Sequence, residues 1–336
     1  ARERDFWATV PLGIAKILTD PQYVWQFQTT PQPQLAGQQI YWPRGRMPGG
    51  SSSVNGMIYV RGGPAEFDHW AALGNKGWDH ASLLPYFKRL ENAAFGDPQR
   101  RGHDGPVSVS QVSEVHPNPL SDAFLNACVQ SGIPKTPDYN GESYEGVNYL
   151  QLSTRNGRRC STAAAYLHGR PQGNLDIATE ALATRLVFEG EKVVGVEYMQ
   201  GGTLRTATAR REVVLSAGPI KSPQLLELSG IGDGERLRAL GIEVRRHLPG
   251  VGENLIDHLQ SRITFECRQS VTLNEVVRSP WRQAAMGAGY LLRRRGIMAT
   301  PSATVHALAR TSQEEKRPRV KIQLHHLTGA DRYAGK

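Results

Sequence analysis

Apolar positions along this chain change period several times, and each change predicts an element. The run from Trp7 to Leu18 predicts a short helix, and the Pro- and Gln-rich stretch up to residue 40 predicts extended backbone. Asp79 is placed to cap a helix whose apolar face carries Leu83, Leu84, Phe87 and Leu90. Residues 96–118 are polar and rich in Gly and Pro, so they predict a loop, and residues 138–149 predict a second one. Between them, Leu120 to Gln130 predicts a helix that buries Phe124, Leu125 and Cys128. A β-rich block follows. Leu175 to Ala178 predicts a strand. Arg185 to Glu189 and Val193 to Met199 predict a hairpin turning at Gly190-Glu191, and Leu204 to Ala209 a strand after Gly201-Gly202. Residues 233–241 predict a short helix and 281–295 a basic amphipathic one, read as a solvated face ahead of a membrane anchor.

Two segments depart from plain core-building and suggest chemistry. The first runs from Gly45 to Met57, Gly-Arg-Met-Pro-Gly-Gly-Ser-Ser-Ser-Val-Asn-Gly-Met. Its glycines allow positive φ and close approach of a ligand to the backbone. Successive N–H groups in such a turn suit an anion such as a phosphate. A Gly/Ser run taken alone also fits a flexible linker, but a linker has no need of Val54, Met57, Ile58, Tyr59 and Val60 directly behind it. The second segment is Glu212 to Gly232. Val213 to Leu215 predicts a buried strand, Ala217-Gly218 a tight turn, and Ser222-Pro223 the cap and first position of a helix. Leu225, Leu226 and Leu228 supply that helix's apolar face, and Gly230 its stop. Strand, small-residue turn and helix form the unit that sits over a cofactor in doubly wound folds, although many such units hold no ligand.

Composition adds less. A length of 336 residues allows a sizeable core and two domains. The net charge of +9 comes from dispersed pairs such as Arg100-Arg101, Arg158-Arg159, Arg210-Arg211 and Arg245-Arg246, without interleaved aromatics. That pattern reads as solvated surface, with an anionic membrane or partner as the alternative and no nucleic acid. Cys128, Cys160 and Cys267 are odd in number and widely spaced, which argues against a disulfide framework or a Cys-rich metal site and fits a reducing cytosol. Phe6 to Leu18 is apolar but too short to span a bilayer.

Together the two segments resemble the signatures of the glucose–methanol–choline (GMC) flavin oxidoreductases. The first signature corresponds to Gly49 to Met57 followed by Tyr59, Gly62 and Asp68, the second to Gly218-Pro219 and Ser222-Pro223 through Ser229-Gly230-Ile231-Gly232. Trp70, Trp78, Gly105-Pro106-Val107, Arg158-Arg159, Ser161-Thr162-Ala163 and the stretch Leu248 to His258 agree as well. The resemblance weakens after about residue 265, and is closest to the bacterial choline dehydrogenase and alcohol dehydrogenase branch. Pro48 stands where the family usually has an aliphatic residue; it removes one N–H from the turn.

The resemblance implies an α/β (α+β) fold: an incomplete three-layer FAD/NAD(P)-binding domain at 1–113 and 151–259, and part of an antiparallel-sheet substrate-binding domain at 114–150 and 260–336. It also implies an internal fragment, because no Gly-x-Gly-x-x-Gly precedes residue 45 and the family's catalytic His and its partner lie near the C-terminus. No catalytic residue is therefore assigned; His325-His326 reads as a solvated pair or a core imidazole. The implied cofactor contacts are backbone N–H groups of Gly49, Gly50 and Ser51, a hydrogen bond from Asn55, a lining of Gly56, Met57 and Ile58, the Ala183 backbone at the adenine, and close passage of Ala217 and Gly218. Asn55 read alone also fits a helix cap, and Ala183 plain packing. Some relatives bind FAD covalently through a His at the position of Val54, so the expectation here is noncovalent FAD. Asn254, Asp257 and His258 are expected to support the cofactor region. Gln260 replaces a Glu that faces the quaternary ammonium in choline-active relatives, and an uncompensated cation in an apolar pocket is costly.

The expected activity is oxidation of a neutral primary alcohol to an aldehyde, with hydride passing to flavin N5 and electrons to a quinone, another acceptor or oxygen. Choline dehydrogenase, a non-redox FAD-containing lyase and a truncated non-catalytic remnant are the alternatives. The expected location is the cytoplasm, with peripheral association at the inner face of the membrane.

Overall fold

The computed structural model describes residues 5–169 and 173–328. The chain divides into two compact units, Ala1–Pro171 with Thr264–Lys336, and Gln172–Ile263.

In the first unit, Pro11 and Gly13 break the expected N-terminal helix into Phe6–Thr9, a 3-10 turn at Pro11–Gly13 and Ile14–Ile17. The Pro/Gln-rich stretch contains a hairpin, Val24–Gln28 against Tyr41–Gly45, in which Phe27 faces Trp42. The first of these strands and the short helix supply Val24 and Ile17, which close over Val54 to form one small core. The Asp79 carboxylate caps the helix His80–Leu90 through the Ser82 N–H, as its position predicts. The expected loop at 96–118 holds a strand, Val107–Gln111, buried at Val107 and Val109. It pairs in parallel with Glu91–Ala93 and antiparallel with Gln151–Leu152. Val-Ser-Val alternation is a short period-2 signal that the flanking glycines and prolines outweigh in a composition reading.

The helix Pro119–Gln130 buries Leu125 and Cys128 against a three-stranded antiparallel sheet. That sheet joins Gly146–Tyr149, Ala303–Ala309 and Val320–His325, so Val147 and Val305, 158 positions apart, share one core. The helix Pro280–Arg293 packs Tyr290 inward and leaves Trp281 and Leu292 exposed.

The second unit is a three-stranded meander, Ala181–Glu189, Lys192–Gln200 and Thr203–Thr208, with tight turns at Gly190 and at Gly201-Gly202 as expected. A helix, Gly218–Leu228, follows; Ser229 ends it, and Gly230 at φ +84° turns the chain. It begins four residues before the expected Ser222 cap, because Pro219 fits the first turn and Pro223 is accommodated inside. Ile231–Gly232, the helix Gly234–Ala239 and Arg246–His247 then make a small parallel crossover. Two expected strands do not form. Leu175 to Ala178 and Val213 to Leu215 are irregular and pair with no described strand, and Val214 is 75% exposed. Apolar β-branched sequence favours a strand only where a neighbour satisfies its backbone.

Candidate functional site

Gly45, Gly49 and Gly50 shape the loop for different reasons. A Cβ on Gly45 would lie 2.2 Å from the Gly50 carbonyl oxygen, so two backbone segments touch there. Gly49 sits at φ +84° with its missing Cβ 2.5 Å from Ser53 Oγ, and Gly50 at φ +53° opens onto empty space. The chain then makes a single 3-10 turn, Gly50–Ser53. Ser52 Oγ donates to the Gly49 carbonyl at 2.5 Å and accepts from the Thr162 N–H at 3.0 Å, fastening the turn to residues 110 positions away.

Of the three N–H groups expected to face a cofactor, that of Gly50 is spent inside the turn on the Met47 carbonyl at 2.8 Å. The N–H groups of Gly49, Ser51 and Gly56 have no hydrogen-bond partner among the described residues. Asn55 is exposed, and its Oδ1 accepts from the Met57 N–H at 3.0 Å and from Arg159 Nη1 at 2.9 Å. With the oxygen doubly occupied, the amide NH2 is the end left to donate. Asn55 therefore neither caps a helix nor faces the cofactor with its oxygen. Met57 adopts φ +59° and turns its side chain into the core at 1% exposure, so it does not line a surface site as expected. Left-handed backbone costs a non-glycine residue about 1–2 kcal/mol. The Asn55 side chain and the Ser153 N–H, which donates to the Met57 carbonyl at 2.8 Å, hold it there. Ile58 bridges to Leu152 and packs on the Val112–Leu150–Leu152 cluster.

Sequence reading placed the arginine pairs on the solvated surface, and the structure corrects it. Arg101 is fully buried and Arg159 is 6% exposed. Arg159 Nη1 donates to the Ser52 carbonyl (3.1 Å) and the Asn55 carbonyl (2.7 Å), and Nε to the Ala8 carbonyl (3.0 Å). Burial pushes its pKa down to about 10, well above neutrality, so the guanidinium stays charged. Residues 158–159 form a two-residue strand with the first side chain out and the second in. Such a short alternation leaves almost no sequence signal beyond the Asn156-Gly157 turn before it.

In the second unit, Ala183 lies within the first strand of the meander, opposite Tyr198 beside an irregularity in register. The strand expected from Arg185 thus begins four residues earlier, at Ala181, and takes in Ala183. Ala217 caps the helix Gly218–Leu228, and Gly218, at φ +88°, has nothing within 4 Å of where a Cβ would stand. Asn254, Asp257, His258 and Gln260 are exposed in an irregular segment, with Ile256 and Leu259 about nine-tenths exposed beside them. His258 Nδ1 is 3.9 Å from Asp257 Oδ1.

The two adjacent histidines differ in setting. His325 is exposed at the end of its strand. His326 is buried, its Nε2 within 3.0 Å of Thr304 Oγ1 and 3.2 Å of Ser121 Oγ. His306, also buried, stacks edge-on against Tyr139 with both ring nitrogens unpaired among the described residues. Desolvation lowers the pKa of His326 to about 4 and that of His306 to about 3, from 6.5. Between these values and 6.5 the unfolded chain binds more protons, so stability present above pH 6.5 is lost as pH falls towards 4 and 3. Each ring is expected to cost about 2 kcal/mol at pH 5. Urea unfolding at pH 5 and pH 7 checks this, and His306→Leu or His306→Phe should flatten the dependence.

The loop fits the cofactor that the sequence resemblance implies. Three N–H groups without an acceptor among the described residues and an amide donor can meet the oxygens of a pyrophosphate or the carbonyls of a flavin ring. The empty space beside Gly50 and Gly56 admits a close-lying planar group. No cluster of three metal-ligating side chains occurs among the described residues.

The chain is 39% identical over 335 residues to the oxygen-dependent choline dehydrogenase of Vibrio vulnificus, across 99% of this chain and 59% of that protein. It is 42% identical over 319 residues to human mitochondrial choline dehydrogenase, across 95% of this chain and 53% of that one. The solved FAD-dependent oxidoreductase from Chaetomium thermophilum superposes with a TM-score of 0.80 at 28% identity, covering 91% of this chain and 55% of its own. The chain thus spans somewhat over half the length of these relatives. A match described as GMC oxidoreductase extends over residues 22–260 and takes in both signature segments, and on that ground the chain belongs to the GMC oxidoreductase family.

Proposed function

We propose that this protein takes part in the FAD-dependent oxidation of a primary alcohol to an aldehyde. The observation that carries the reading is the loop itself: N–H groups at Gly49, Ser51 and Gly56 with no acceptor among the described residues, and the Asn55 amide left as a donor beside them. FAD, when bound, supplies the acceptor for the hydride that leaves the alcohol carbon. The chain's own part is to seat that cofactor. Gly49 and Ser51 offer N–H groups to its oxygens, Asn55 donates through its amide, and Gly56 gives it room. Ala183, Ala217 and Gly218 serve its adenosine half, and the catalytic base lies in none of these segments. The division into an FAD-binding part at 1–113 and 151–259 and a substrate-binding part at 114–150 and 260–336 belongs to the same proposal. So do an acceptor such as a quinone or oxygen and a cytoplasmic location at the inner face of a membrane. No described helix is long and apolar enough to cross a membrane.

Val54 is 3% exposed, packed with Ile17 and Val24, and its own side chain carries no nucleophile, which supports noncovalent FAD. The neutral side chain of Gln260 supports a neutral alcohol. Choline is the second reading, favoured by the names of the relatives.

Anaerobic titration of the purified yellow protein tests all of this. Medium-chain and aromatic alcohols are expected to bleach the flavin faster than choline, and acid precipitation to leave the colour in the supernatant. Faster bleaching by choline selects the second reading. Retained colour with every alcohol overturns the redox reading in favour of a lyase, and a colourless protein that takes up no FAD overturns the cofactor.

A further inference from the structure

Arg61, Arg101 and Arg159 are all withdrawn from solvent in the first unit, but only two of them have a counter-ion among the described residues. Arg61 and Arg101 share Glu91, and Arg101 also meets Asp138 at 2.8 Å. Arg159 meets no carboxylate among the described residues, and no neighbouring charge offsets the desolvation of its side chain. Among the described residues its contacts are four neutral oxygens, and Nη2 has no partner. A buried unpaired charge costs several kcal/mol even after relaxation. Neutral donors could tie down the same carbonyls at lower cost, so the clamp alone does not account for a cation.

We propose that Arg159 is a positioning residue that fixes the Asn55 amide with its NH2 outward and places an uncompensated positive charge behind the cofactor loop, favouring the reduced, more negative state of bound FAD. The inference rests on the FAD reading above. A donor from a charged group to Asn55 Oδ1 polarises the amide and strengthens the NH2 as a donor in turn. Two-electron reduction by the alcohol adds negative charge to the bound flavin. The field of Arg159 then acts on the difference between the two states, which a purely structural clamp leaves unchanged.

The test compares wild type, Arg159→Lys and Arg159→Met in FAD affinity, by fluorescence titration of the apoprotein, and in the midpoint potential of the bound flavin, by redox-dye equilibration. Arg159→Met is expected to lose at least tenfold in its preference for reduced over oxidised FAD, a fall of about 30 mV for a two-electron couple. Arg159→Lys, which keeps the charge, is expected to stay within threefold of wild type. A folded, FAD-binding Arg159→Met with an unchanged potential overturns the proposal and leaves the FAD reading standing. Wild type that binds no FAD overturns the FAD reading, and this inference with it. If Arg159→Met does not fold, Asn55→Asp decides the matter in the apoprotein. A carboxylate there is expected to raise the melting temperature by giving Arg159 its missing counter-ion, and a lowered melting temperature means the charge is already balanced.

Discussion

Glu91→Ala is expected to cost about 3–5 kcal/mol of stability, the range seen when one partner of a buried ion pair is removed. The Glu91 side chain is fully buried, and its Oε1 accepts from Arg61 Nη2, from Arg101 Nε at 2.8 Å and from the Gly102 N–H at 2.9 Å. Two carboxylates, Glu91 and Asp138, balance two guanidiniums, and Gln151 and Asn140 complete the network with neutral hydrogen bonds. Deleting one carboxylate leaves a net positive charge with no route to water. For a domain of 150–250 residues about 2–4 °C follows each kcal/mol, so the melting temperature should fall by about 10 °C. Glu91→Gln, which keeps an acceptor of the same shape, should lose less. The damage should also reach the cofactor loop, because Asn140 Nδ2 holds the Tyr59 carbonyl at 3.0 Å and the Tyr59 N–H reaches the Gln151 carbonyl at 2.8 Å. Thermal unfolding with and without added FAD measures both effects; a Glu91→Ala protein melting within 1 °C of wild type would refute the assignment of the network as a stabilising unit.

The second large effect separates two glycines of one loop. Gly45→Ala places a Cβ 2.2 Å from the Gly50 oxygen and 2.7 Å from the Ser51 nitrogen, both backbone atoms that cannot swing aside. Overpacking of this kind costs about 1–3 kcal/mol. The displaced peptide carries the Ser51 N–H, so FAD affinity should fall about tenfold to a hundredfold, at about 1.4 kcal/mol per factor of ten. Gly56→Ala meets nothing within 4 Å and needs no unusual φ, so the apoprotein should melt as wild type does. Its methyl would occupy the space assigned to the cofactor, and FAD affinity should still drop at least tenfold. An alanine at residue 56 that binds FAD normally would move the cofactor off this face of the loop.

What the sequence revealed depended on how local the determinants are. The Asp79 cap, the Gly190-Glu191 hairpin and the Gly230 stop each rest on a few adjacent residues, and each is in place. The turn at Gly49 to Gly56 was legible because glycine spacing is itself a backbone constraint. Which of its N–H groups remain available was not legible, since that depends on the Met47 carbonyl closing on Gly50. Val213 to Leu215 has strand composition but no described partner, and partners are not written in a strand's own residues. Arg159 was misplaced for a related reason. A doublet of arginines is usually solvated, and only contacts with Ala8, Ser52 and Asn55, up to 151 positions away, bury the second one.

The fastening of Ser52 to Thr162 also constrains when the site can exist. The two residues are 110 positions apart, so no local segment assembles the loop, and closing so long a connection carries an entropic cost before any contact offsets it. At about 5–20 residues per second, a ribosome delivers Thr162 roughly 5–20 s after Ser52. During synthesis the glycine turn therefore waits unclamped, and cofactor capture becomes a late event of folding.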